Sequence, residues 1–133
     1  MRFRRITIFK TTRPSHANIN EELQWLGGSI GLFSLRDKDK SCFRIFITLL
    51  KNVKGKQGLT SDQLAANLSL TRGTVVFHLN KLMGAGIVTG EKNKYYLITE
   101  NLEMIIDEIK ENLDKTLREL KEMAKEIDDR LEL

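Results

Sequence analysis

Two short amphipathic stretches, joined by a tight link, constrain the fold of this chain more than any other feature. In the first, Thr60 has the hydroxyl that an N-cap requires, and Gln63 stands three positions later, the pattern of a capping box. Leu64, Ala65 and Leu68 give that helix a buried side. Leu68-Ser69-Leu70 leads to Thr71, a second N-cap, with Leu70 suited to pin the chain where the next helix begins. From there Val75, Leu79 and Leu82 recur at spacings of four and three. At about 100° per residue they form one narrow apolar stripe. Two short helices joined by a turn of this length are the helix-turn-helix pattern.

The outward face of the second helix carries Gly73, Thr74, Phe77, Asn80 and Lys81, with Arg72 and Val76 on its borders. No acidic residue occurs between Thr71 and Gly90. An exposed helix face normally mixes both signs of charge, and one without acids suits a polyanion. Gly84-Ala85-Gly86 ends the helix with residues that tolerate the left-handed conformation. Ile87-Val88-Thr89 and Tyr95-Tyr96-Leu97-Ile98 then flank the polar Gly90-Glu91-Lys92-Asn93-Lys94, which predicts a hairpin. Helix-turn-helix followed by a hairpin is a winged helix. Upstream, a helix is expected from about Asp39 to Lys54-Gly55. Its core face is Phe43, Phe46, Ile47, Leu50 and Val53, widened by Ile45 and Leu49, and Leu59 is expected to pair with the wing strands.

Leu64-Ala65, the run Leu70 to Leu82 and Ala85-Gly86-Ile87-Val88 resemble the arsenic-repressor-type (ArsR-like) winged-helix regulators, particularly archaeal ones. The resemblance covers roughly residues 40 to 98, and the same skeleton also fits MarR-type and other winged helices. It implies a double-stranded DNA partner, with the helix from Arg72 entering the major groove. Val76 stands where the family usually has serine, and Phe77 where it often has a basic or polar residue. Metal-sensing members use clustered cysteines or histidine/carboxylate sets, whereas this chain has neither a CxC nor paired histidines. No metal and no cofactor is therefore expected.

Charge is segregated beneath a net value of +4. Residues 1–14 carry five basic and no acidic residues, and residues 15–35 two acidic and no basic ones. Residues 36–98 carry eleven basic and four acidic residues, residues 99–133 six basic and twelve acidic. The basic block thus coincides with the winged helix, which turns an ordinary solvated face into a candidate nucleic-acid footprint. In the first 35 residues, Ile6 to Phe9 reads as a short strand among arginines. That segment is either an arm on DNA phosphates or an edge strand protected by charge. Asn18 with Glu21 starts a short helix, with Ile19, Leu23 and Leu26 on one face and Gly27-Gly28 as its stop. Trp25, Ile30, Leu32, Phe33 and Leu35 require burial on the wing domain or on a partner.

The last segment is one long helix, capped by Thr99 and running to about Arg130. Leu102, Ile106, Ile109, Leu113, Thr116, Leu120, Met123 and Ile127 alternate steps of four and three, with Leu117, Ala124 and Leu131 broadening the seam. Some 30 residues span about 45 Å, more seam than one small domain covers. Pairing with a second chain is the natural solution; folding back on its own domain is the other.

The expected architecture is mainly α with a small β-hairpin wing: an N-terminal strand and helix (1–35), a winged helix (36–98) and a dimerisation helix (99–133). Catalysis is not expected. The chain has no Walker A, GxGxxG, GxSxG or HExxH motif, and His16, His78 and Cys42 lie in separate segments. No apolar run approaches a membrane span, and a single cysteine fits a reducing cytoplasm. The function expected is a homodimeric, sequence-specific DNA-binding transcriptional regulator; the alternative is a protein-interaction module that reads no bases. Arg72 and Thr74 are the first choices for base or near-base phosphate contacts, with Thr71 and Gly73 beside them on the DNA-binding surface, while Asn80 and Lys81 serve the backbone. Val76 and Phe77 either meet thymine methyls or are covered by protein, and Lys92, Asn93 and Lys94 lie along the phosphates or the minor groove.

Overall fold

The chain's capping chemistry sets its element boundaries in the computed structural model, which describes residues 5–15, 18–32, 40–55 and 57–133. Helix α1 (Ile19–Ser29) starts where the Asn18 side chain accepts the Glu21 amide. Helix α2 (Ser41–Lys51) is followed by a 3-10 turn at Val53–Gly55 and by the short strand β1 (Leu59–Thr60). At α3 (Ser61–Leu68) both halves of the capping box form, between Thr60 and Gln63. Helix α4 (Arg72–Gly84), strands β2 (Val88–Glu91) and β3 (Lys94–Leu97), and helix α5 (Leu102–Leu131) complete the order. The three strands form one antiparallel sheet in the order β1-β3-β2, so Leu59 pairs with Tyr95, as expected. The fold is mainly helical, a winged helix-turn-helix with a long C-terminal helix. Residues 1–101 and 102–133 are two compact units.

Helices α2, α3 and α4 pack on one another in the first unit. Their core is Cys42, Ile45, Phe46, Leu49, Leu64, Val75, Leu79 and Leu82, closed by Ile87 and Val88 from the start of the wing. The buried side of α2 is therefore turned from the expected one: Ile45 and Leu49 are central, while Phe43, Ile47 and Leu50 are only half-buried. The reason is that the apolar arc of α2, opposite the stripe of Arg44, Thr48 and Lys51, is wide, so spacing alone does not say which part of it lies deepest. The Arg44 guanidinium donates to the Leu68 carbonyl, tying α2 to the end of α3.

Helices α1, α4 and α5 end by one device, in α5 with the Leu133 amide on Asp128, the Glu132 amide on Asp129 and Glu132 at φ 58°. In α4 the Ile87 amide donates to Leu82 and the Gly86 amide to Met83, with Gly86 at φ 77°. In α1 the Leu32 amide donates to Gly27 and the Gly31 amide to Gly28, with Gly31 at φ 75°. All three are Schellman ends, which require a left-handed residue just past the helix. Helix α1 consequently runs through Gly27-Gly28, the expected stop, because the glycine that ends it is Gly31. Ile19, expected on its apolar face, is exposed.

The N-terminal strand does not form at Ile6 to Phe9. Among the described residues no strand pairs with it. Instead the Phe9 amide donates to the Ser29 carbonyl at 2.7 Å and the Arg5 amide to Gly84 at 3.4 Å, so helix-end carbonyls take its donors. Leu32 is buried as expected, whereas Phe33 and Leu35 lie outside the described residues. Thr99 is buried but precedes the first residue of α5 by three positions. Its hydroxyl donates to the Asn101 carbonyl at 3.0 Å rather than accepting a first-turn amide, which corrects the expected cap.

Candidate nucleic-acid interface

Helix α4 is positioned by its apolar stripe: Val75, Leu79 and Leu82 are fully buried. Burial of that side turns Thr71, Arg72, Gly73, Phe77, Asn80 and Lys81 to solvent, with Thr74 and Val76 half-buried at the margin. The turn leading into α4 is short because Ser69 takes a left-handed conformation (φ 55°) and the Leu70 amide bonds back to Ala65 at 3.0 Å. The Thr71 hydroxyl oxygen accepts the Thr74 amide at 3.1 Å while its proton goes to the Thr74 hydroxyl at 2.8 Å. Thr71 is thereby committed to capping, and the Thr74 hydroxyl retains a proton to donate outward.

Arg72 has a partner that sequence reading missed. Its Nε lies 3.7 Å from Asp62 Oδ1, with the two side chains 73% and 78% exposed. Asp62 is in the first turn of α3 and Arg72 opens α4, so the helix-turn-helix bend joins residues ten apart in sequence. Only the predicted bend carried that signal. Such an exposed pair is worth roughly 0–1 kcal/mol, so Arg72 exchanges Asp62 for another anion at little cost.

Phe77 is 66% exposed, and its ring meets the His78 imidazole edge-on at 5.2 Å between centroids. Nothing in the described chain covers the rest of the ring. At the wing, Lys92 (φ 51°) and Asn93 (φ 66°) form a two-residue turn with both φ values positive, pairing Glu91 with Lys94. That conformation favours asparagine and glycine, so a lysine there is held at some conformational cost. Lys92, Asn93 and Lys94 are all exposed.

Taken alone, α5 presents a second exposed surface. Leu102, Ile109 and Leu113 are half-buried, and Ile106 is exposed. Farther along, Leu117, Leu120, Met123 and Ile127 are all exposed, Leu120 by 60%. Beyond Leu113, Leu117, Leu120, Ala124, Ile127 and Leu131 themselves alternate steps of four and three, so the apolar band is wider than a two-position seam.

Among the described residues no group of three His, Cys, Asp or Glu side chains is arranged to hold a metal ion, and no helix is long and apolar enough to cross a membrane. Cys42 is buried and its thiol donates to the Leu32 carbonyl at 3.1 Å, the role of a core residue. Residues 47–89, from within α2 through α3 and α4 to the start of the wing, match the family model described as bacterial regulatory protein, arsR family. No curated protein and no solved structure matches the chain.

Proposed function

We propose that this chain, an ArsR-like DNA-binding transcriptional regulator, acts as a homodimer that recognises a specific double-stranded sequence. The observation that carries the reading is the acid-free outer face of α4, held outward by a fully buried inner stripe. A recognition helix set in this way enters the major groove by its N-terminal half. Arg72 and Thr74 then reach bases or near-base phosphates, Lys81 the backbone, and the wing tip at Lys92 to Lys94 runs along the phosphates. The exposed apolar band of α5 supports pairing with a second copy, since a band of this length in water is unfavourable and a second α5 offers the same band in return. A reducing cytoplasm suits the single buried thiol.

The test is selection of bound DNA from a random pool, read with the mass of the protein in solution. A dimeric mass, a selected site with two related halves and a steep loss of affinity with salt are the expected results. A second reading, a protein-interaction module, draws on the exposed Phe77 ring. It predicts no enriched sequence and a shallow salt dependence.

A further inference from the structure

Gly73, Phe77 and Asn80 follow one another at steps of four and three and are all exposed, so they run in line along the outer face of α4. A Cβ built at Gly73 meets no atom within 4 Å, so none of the described residues requires a glycine there and the helix surface beside Phe77 is open. The Asn80 amide engages no other group among the described residues, although it is one turn from Phe77, in a stretch, Thr71 to Gly90, that contains no acidic residue. Side chains three apart on a helix have Cβ atoms about 5–6 Å apart, between one and two base-pair steps of about 3.4 Å.

The chemistry of the two side chains is complementary to one kind of base pair. An asparagine amide sets a donor beside an acceptor, matching N7 and the N6 amino group of adenine, and an apolar ring matches the C5-methyl of thymine. These are the major-groove marks of A·T pairs. We infer that Phe77 and Asn80 act together as a specificity-determining pair that selects A·T at neighbouring positions in each half-site, Asn80 on an adenine and Phe77 on a thymine methyl. Asn80 is thus a base-reading residue rather than a backbone contact, and the helix lies along the groove past its N-terminal half as far as Asn80. Arg72, at the start of the helix, reads a separate position. The inference rests on the proposed DNA-binding function.

The experiment uses the full-length protein and the sequence selected from the random pool. Each thymine of that site is replaced in turn by uracil, which removes only the methyl, and each adenine by 7-deazaadenine, which removes only the N7 acceptor. One uracil, in one half-site, is expected to weaken wild-type binding about fourfold, the worth of one buried carbon group. It should leave Phe77→Ala binding unchanged. One deazaadenine should weaken the wild type roughly five- to tenfold, within the discrimination of a bidentate contact, and leave Asn80→Ala unchanged. Both variants should melt with the wild type, because both side chains are exposed. A strongly preferred site that is indifferent to every analogue, or that has G·C at the positions Asn80→Ala relaxes, overturns the pair while the DNA-binding reading stands. Absence of any preferred sequence overturns both.

Discussion

Helices α4 and α5 each carry one apolar stripe, and the two stripes have opposite fates. In α4, Val75, Leu79 and Leu82 are fully buried within their own unit. In α5, Leu117, Leu120, Ile127 and Leu131 remain exposed, Ile127 by 46%. The outer faces differ as well: α4 has no acidic residue, whereas residues 99–133 have twelve acidic against six basic. The first helix is completed by its own chain and leaves a polar, cationic face for a ligand. The second is incomplete in the monomer, and its charged residues suit water. A chain can therefore advertise a binding surface in two ways, by what covers the apolar side and by what nothing covers.

The largest expected effect comes from spoiling the uncovered stripe. Replacing Leu120 and Ile127 by glutamate should turn a dimer into a monomer, seen by sedimentation or light scattering. Loss of the second half-site contact should weaken DNA binding by about 10²–10⁴-fold. Helical content should be little changed, because both side chains are exposed in the single chain. Monomeric wild-type protein with full DNA affinity would dissolve the contrast between the two helices. Next in size is the covered stripe. Leu79→Ala should destabilise the first unit by about 2–5 kcal/mol in denaturant melts, since the side chain is fully buried. A loss below about 1 kcal/mol would mean that the stripe does not hold α4 in place.

That contrast was partly legible in the sequence. Spacing of Val75, Leu79 and Leu82 marked the buried side of α4, although Val76, Phe77 and Met83 lie outside that stripe. The same reasoning was less exact at α2, where Phe43, Ile45, Phe46, Ile47, Leu49 and Leu50 fill a wide apolar arc and packing selects which part of it lies deepest. Caps with a local partner were readable, as at Thr60 with Gln63. The end of α1 was not, since three glycines compete there and only the chain's course past Gly31 decides which becomes left-handed. The Asp62–Arg72 pair was out of reach, because it depends on the angle at which α3 meets α4.

A smaller effect sharpens the ligand side of the comparison. Arg72→Ala should weaken the preferred sequence by about 1–3 kcal/mol and random DNA by less, relaxing preference at one position per half-site. Equal losses on both would reduce Arg72 to a phosphate contact. Asp62→Asn frees Arg72 without removing it. It should raise affinity for random DNA more than for the preferred site, narrowing the ratio between them, and a widened ratio would show that Asp62 opposes specific binding instead.

The smallest expected effect is at the wing, where conformation and charge are opposed in one residue. Lys92 has φ 51° in a turn whose next residue, Asn93, is also left-handed. Glycine adopts that conformation without the steric penalty that a side chain imposes. A lysine is therefore not what the turn itself favours, and on the proposed DNA-binding function its exposed cation contacts phosphate. Lys92→Gly separates the two demands. The variant should be as stable as the wild type or more so, by up to about 1 kcal/mol. Its affinity should fall by a similar factor for preferred and random DNA alike, with the slope of log affinity against log salt reduced by about one unit. Lys94→Ala, in the paired strand β3, should reduce the slope in the same way without the gain in stability. If Lys92→Gly leaves the salt slope untouched, the wing does not reach the phosphates, and the cationic footprint contracts to α4 and its immediate surroundings.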